Sequence, residues 1–144
     1  MSAKAIREAT GKDLLNRHLK CSSAVKSRFA SVDENTNFTD LLNQNPWLGQ
    51  EVIVNKKKHL FIIIIIRLFY LKNLNFQKLV VKCDQLIKRR GKLGLIQVNA
   101  DYDKVKQWIS ERINRDQKIQ KAVGKLRNFI IEPFVPHADV SKKG

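Results

Sequence analysis

Leu79 to Leu95 reads LVVKCDQLIKRRGKLGL. The β-branched pair Val80-Val81 leads into Lys82, which predicts a short strand over Leu79–Lys82. A polar link follows, then the basic turn Lys88-Arg89-Arg90-Gly91-Lys92-Leu93-Gly94. Gly91 and Gly94 lack a Cβ, so the backbone there can approach an anion closely. With cations on both sides, such a loop suits a polyphosphate held by N–H groups and Lys/Arg together. Lys82, at the strand end, reaches phosphate oxygens as a point charge, whereas Arg90 offers a planar fork. A basic cluster alone is weak evidence, because solvated basic faces and nuclear-localisation-like clusters are common; the surrounding motif favours the ligand reading.

Outward from this stretch, strands alternate with helices. Ala5–Leu19 reads as a helix with Ile6, Leu14, Leu15 and Leu19 on related faces. Ala24–Ala30 prolongs it or forms a second short helix, and Ser31–Asn37 is polar and turn-like. Phe38–Asn43 is helical and stops at Asn45-Pro46. Leu93–Val98 is a second strand. Asp101–Ile113 is an amphipathic helix with Val105, Trp108, Ile109 and Ile113 on one stripe. Gln120–Arg127 reads as another short helix, and Phe129–Val135 as a strand punctuated by Pro133 and Pro136. This alternation argues for an α/β class, an α+β layered fold. Trp47 and Trp108 fit a core better than a stacking platform, and Phe134 also fits a core.

The chain has 144 residues, room for one small domain, and 28 Lys+Arg against 13 Asp+Glu, a net charge of +15. That balance raises nucleic acid and anionic membranes as partners. A nucleic-acid binder would interleave its cations with exposed aromatics; here the aromatics fall on apolar faces. Neither nucleic acid nor a membrane is expected as a partner. Two cysteines, Cys21 and Cys83, make no disulfide framework, and the first residues carry no secretory signal, so a cytosolic location is expected. His18, His59 and His137 are scattered, and no catalytic set or metal-ligand cluster is visible in the pattern.

Several runs resemble the ATP-citrate lyase (ATP-citrate synthase) family. VVKCDQLIKRRGKLGL is similar to that family's nucleotide-binding segment, with Cys83 in place of a proline. MSAKAIREATGKDLL resembles its amino terminus, Pro46-Trp47-Leu48 its Pro-Trp-Leu block, and Asn128 to His137 its NFLIEPFVPH segment. The resemblance covers roughly four-fifths of the chain, in order. It implies the incomplete amino-terminal part of an ATP-grasp domain, in which two lobes clamp the nucleotide. Lys82, Arg90 and Gly91 match positions that contact ATP, and Pro133 and Val135 match positions lining the adenine side. No catalytic residue is implied within the chain.

The family forms acetyl-CoA and oxaloacetate from citrate, CoA and ATP through a phosphorylated histidine, in the cytosol, for lipid synthesis. ATP and Mg2+ are therefore the implied cofactors, citrate and CoA the implied partners, and a homo-oligomer the implied assembly. The magnesium ligands and the phosphorylated histidine would lie beyond this chain, and Asp139 is only near the position of the ribose-binding acid. A chain of this length is not expected to catalyse by itself. A succinyl-CoA synthetase β-like subunit is the near alternative.

Val52–Gln77 breaks the pattern. It contains five consecutive isoleucines, Ile62 to Ile66, in an alphabet of Lys, Asn, Ile, Phe, Leu and Tyr. Its apolar core, Leu60–Leu71, is interrupted by Arg67 and is shorter than the roughly 20 residues of a spanning helix. A membrane-surface segment over Lys56–Leu71 is one alternative. Removing residues 52–77 joins Glu51 to Lys78 and restores the family pattern, which is the expectation for a translated, unspliced intron. The expected organisation is thus a partial ATP-grasp domain over 1–51 and 78–139, a non-native insertion over 52–77 and a non-native tail over 140–144.

Overall fold

The computed structural model describes residues 5–20, 26–49, 77–119 and 122–136. The expected insertion, apart from Gln77, lies outside them, as do the tail 140–144, Cys21, His59, His137 and Asp139.

A four-stranded antiparallel sheet organises these residues. Its strands are β1 (Ala30–Val32), β2 (Leu79–Cys83), β3 (Ile96–Ala100) and β6 (Phe129–Pro133), in the order β1-β6-β2-β3. β4 (Asp116–Ile119) and β5 (Ala122–Lys125) form a separate antiparallel hairpin. The helices are α1 (Glu8–His18), α2 (Phe38–Gln44) and α3 (Tyr102–Ser110), with a 3₁₀ turn at Pro46–Leu48.

β2 shows why the sheet has two different faces. Leu79, Val81 and Cys83 are fully buried, while Val80 and Lys82 point the other way and are half-buried. Leu79, Val81 and Cys83 join Phe129 and Ile131 of β6, and Val105, Trp108 and Ile109 of α3, in the main core. Trp108 meets Phe129 edge-on, with ring centroids 5.8 Å apart. Each fully buried aliphatic side chain here contributes about 1.5–3 kcal/mol. The Tyr102 hydroxyl donates to the Phe38 carbonyl at 2.7 Å and ties α3 to the start of α2. Ile130 of β6 is fully buried on the opposite face, where α1 lies.

The helix caps explain where two of the helices begin. The Asn37 side chain accepts from the N–H groups of Thr39 and Asp40, and that of Asp101 accepts from the Lys104 N–H. Val105, Trp108 and Ile109 are buried as the stripe predicts, whereas Ile113 lies past the end of α3 in a turn and is half-buried.

Four expectations change. Residues 26–29 are irregular rather than helical, and Ser31 and Val32, expected in a turn, belong to β1. The second strand begins at Ile96, because Leu93 and Gly94 close the basic turn. Ala122–Lys125 is a strand rather than a helix. It registers against β4 with Ile119 opposite Ala122, so pairing across the hairpin overrides the local helical reading. Finally, Leu14, Leu15 and Leu19 are exposed; the face of α1 turned to the sheet carries Glu8, Ala9 and Lys12 instead.

Candidate functional site

Lys82 stands near the end of β2 on the face that α1 covers. The antiparallel register pairs Lys82 with Ile130 and Val80 with Glu132, which places Glu132 diagonally beside Lys82 on that face. The Lys82 ammonium lies 2.6 Å from a Glu132 oxygen and 2.5 Å from Glu8 Oε1. Lys12, one turn after Glu8 on α1, contacts Glu8 Oε1 at 2.8 Å and also pairs with Glu132. Arg90 comes from the basic turn. Its Nη2 donates to Glu8 Oε2 at 2.9 Å and its Nη1 to the Cys83 carbonyl at 2.6 Å. Three cations and two carboxylates thus meet at one place, with one positive charge in excess.

Electrostatics follow from this crowding. Burial raises the Glu8 pKa, but hydrogen bonds from Lys12, Lys82 and Arg90 outweigh it and hold the carboxyl at about 2. For Lys82 burial dominates and pulls the ammonium below its usual range, against the support of Glu8. The free Cys83 thiol is pushed up by burial, so it packs rather than acts as a nucleophile.

Asp84 positions the whole arrangement. It is buried, and its Oδ1 accepts from the Glu8 N–H at 2.8 Å, with the Ala9 N–H also within reach. The residue at the N-cap of α1, Arg7, offers no side-chain cap, so Asp84 caps this helix from the end of β2. Nothing in the local sequence signals this, because the two partners are 76 residues apart.

The basic turn folds on itself. The N–H groups of Leu93, Gly94 and Leu95 bond back to carbonyls of Arg89, Arg90 and Gly91. Gly94 has φ +67°, a left-handed conformation that favours glycine. Gly91 is exposed and has no positive φ; a Cβ there would meet only Ile96, at 4.0 Å. Gly94 therefore shapes the turn, and Gly91 leaves its outer surface open. Lys88, Arg89 and Lys92 are exposed around it.

Pro133 ends β6, and Val135 lies two residues beyond it. With Lys82, Glu132, Val80 and Phe134 they line an open cleft of about 710 Å³. Arg90 opens into a neighbouring depression of about 430 Å³ that also contains Glu8. Of the five residues singled out in the sequence, Lys82, Pro133 and Val135 share one cleft, Arg90 joins Lys82 through Glu8, and Gly91 lies on the adjoining turn. Glu8, Lys12, Asp84 and Glu132 escaped the sequence reading. The Glu8–Lys12 spacing of four on a helix was the available signal, and it pointed only to a surface pair.

The arrangement suits a polyanion with a flat apolar end: Lys82 and the extended Pro-Phe-Val segment line the same cleft. It does not suit a divalent metal. Among the described residues no three His, Cys, Asp or Glu side chains converge as a metal site, and Glu8 and Glu132 are engaged by cations. No helix among the described residues is long and apolar enough to cross a membrane.

Comparison with known proteins identifies relatives. A family model described as the ATP-citrate synthase ATP-grasp domain matches residues 69–142. ATP-citrate synthase of Bos taurus is 45% identical over 95% of this chain, which covers 10% of that protein. The Mus musculus protein of the same name is 42% identical over 99% of the chain, which covers 11% of it. The chain therefore spans about a tenth of these mammalian relatives. Among solved structures, ATP citrate lyase from Methanothrix soehngenii, in complex with citrate and coenzyme A, superposes with a TM-score of 0.67 at 32% identity. That match covers 92% of this chain and 26% of the other. These relatives favour the ATP-grasp reading over a nucleic-acid binder or a succinyl-CoA synthetase subunit.

Proposed function

Because the chain belongs to the ATP-citrate synthase ATP-grasp family, we propose that it forms a nucleotide-binding portion of an enzyme making acetyl-CoA and oxaloacetate from citrate, CoA and ATP. The observation that carries this reading is the convergence of Lys82 and Arg90 on one carboxylate beside the cleft lined by Pro133 and Val135. In this reading the Lys82 ammonium and the Arg90 guanidinium hold phosphate oxygens. The open surface at Gly91 admits the phosphate chain beside the turn. Pro133 and Val135 form the wall for the base. ATP would supply the phosphoryl group whose transfer drives the reaction, and this chain's part is positioning and charge stabilisation.

Magnesium, citrate and CoA would be held by residues beyond those described here. The parts of the reading that rest on kinship alone are a cytosolic enzyme, acting as a homo-oligomer, whose acetyl-CoA feeds lipid synthesis. We further propose that residues 52–77 and 140–144 are not part of the ancestral domain. The family match extends across residues 69–77 and 140–142, which counts against this proposal; a mature transcript lacking the codons for 52–77 and 140–144 would support it, and one that keeps them would overturn it.

The direct test is binding of ATP to this chain by isothermal titration calorimetry. Lys82→Met and Arg90→Gln should each weaken binding by about tenfold or more, as expected for loss of a charge-assisted contact. Equal affinities for the parent chain and both variants, with folding intact, would refute the assignment.

A further inference from the structure

We propose that Glu8 is a positioning residue: one carboxylate, delivered by α1, sets the spacing of Lys82 and Arg90 for the nucleotide phosphates. This deepens the nucleotide-site reading above and rests on it. Glu8 uses its two oxygens separately, Oε1 for Lys82 and Lys12 and Oε2 for Arg90. It bridges a cation from β2 and a cation from the basic turn, two segments also joined where Arg90 Nη1 donates to the Cys83 carbonyl and where the Cys83 N–H donates to the Leu95 carbonyl. The bridge is anchored, because the Glu8 backbone N–H is itself held by the buried Asp84.

A rival reading makes Glu8 an internal anion that a nucleotide must displace. Donor counting argues against displacement. An ammonium has three donors and a guanidinium five. Lys82 uses two on Glu8 and Glu132, and Arg90 uses its contacts on Glu8 and the Cys83 carbonyl. Each cation keeps a donor for phosphate with Glu8 in place, and the cluster keeps a net positive charge. Without the Glu8 charge, Lys12, Lys82 and Arg90 would repel one another with only Glu132 between the lysines. Half-buried Lys82 would then give up its proton more readily, and its grip on phosphate would fall. The groups facing Lys82 are Glu8 and Lys12 from α1, Glu132 from β6 and Arg90 from the turn.

The test follows acylation of Lys82 by an N-hydroxysuccinimide ester in the full 144-residue chain, read by peptide mass spectrometry with and without ATP. Glu8→Gln should raise the Lys82 rate in the absence of ATP and weaken protection by ATP, each by about tenfold, the scale of one charge-assisted contact. Glu8→Asp, one methylene shorter and still charged, should show both effects at an intermediate size. Circular dichroism confirms folding, and should Glu8→Gln not fold, Glu8→Asp decides. In the Lys82→Met background, Glu8→Gln should weaken ATP binding by less than it does in the parent chain, because only the part of the effect that acts through Arg90 remains. An unchanged Lys82 rate in both variants, or tighter ATP binding on loss of the Glu8 charge, overturns the proposal. Failure of ATP to protect Lys82 in the parent chain overturns the nucleotide-site reading and this inference with it; that result is visible before any variant is made.

Discussion

Glu8 is held at a pKa of about 2 against an ordinary 4.5, because three cations outweigh the cost of its burial. A carboxyl depressed in the folded state lends stability that is fully present above pH 4.5 and is lost as pH falls towards 2. The parent chain should therefore lose stability through that window in a way that Glu8→Gln does not. At pH 7 the variant should be less stable by about 1–3 kcal/mol, the range for breaking a partly buried charged network. The gap should close as pH approaches 2. Urea midpoints measured from pH 2 to 7 check this, and a gap that stays constant across the window would mean that Glu8 makes no such network in solution. Lys82 and Arg90 are nameable from their own motif, whereas Glu8 is not: its neighbours in sequence suggest only an exposed helix pair.

Asp84 shows what happens between elements. α1 carries only one buried apolar residue, Ala9, and leaves Leu14 and Leu15 exposed. It is held to the sheet less by apolar burial than by Asp84 at its N-terminus and by the ion pairs of Glu8 and Lys12. Asp84→Ala should cost about 1–2 kcal/mol, the upper part of the range for a lost cap, and should fray α1 first. Hydrogen exchange at the amides of residues 9–14 should accelerate in that variant while β2 and β6 stay protected. Equal acceleration in the strands would place the effect in the sheet instead. The β4–β5 hairpin is the element most misread from sequence. Its strand β5 is exposed along its length, so no buried stripe advertises its period. The basic turn is the opposite case, since Gly94 marks a left-handed residue that the sequence announces by its lack of a side chain.

At the scale of the molecule, β6 is the strand on which the sheet depends. It pairs with β1 on one side and β2 on the other, both far away in sequence. It also carries Phe129 and Ile131 into the core and Glu132, Pro133 and the approach to Val135 into the cleft. A chain ending at residue 128 loses that centre. It should show no cooperative urea transition, in contrast with the parent chain, because β1 is left without a partner among the described strands. A cooperative transition of similar midpoint in the shortened chain would contradict the topology.

The sequence by itself determined the layered class, the amphipathic α3 helix with its Trp108 stripe, strand β2 and the cationic turn after it. Each of these is written in a local periodicity or in residues whose backbone preferences act over a few positions. It also named Lys82, Arg90, Gly91, Pro133 and Val135 as a group through family resemblance. Only the tertiary structure decided the strand order, the pairing of Lys82 with Glu132, the capping of α1 by Asp84 and the arrival of Glu8 between two cations. These contacts join segments dozens of residues apart. Their geometry depends on sheet register and helix placement, which no single stretch of the chain encodes.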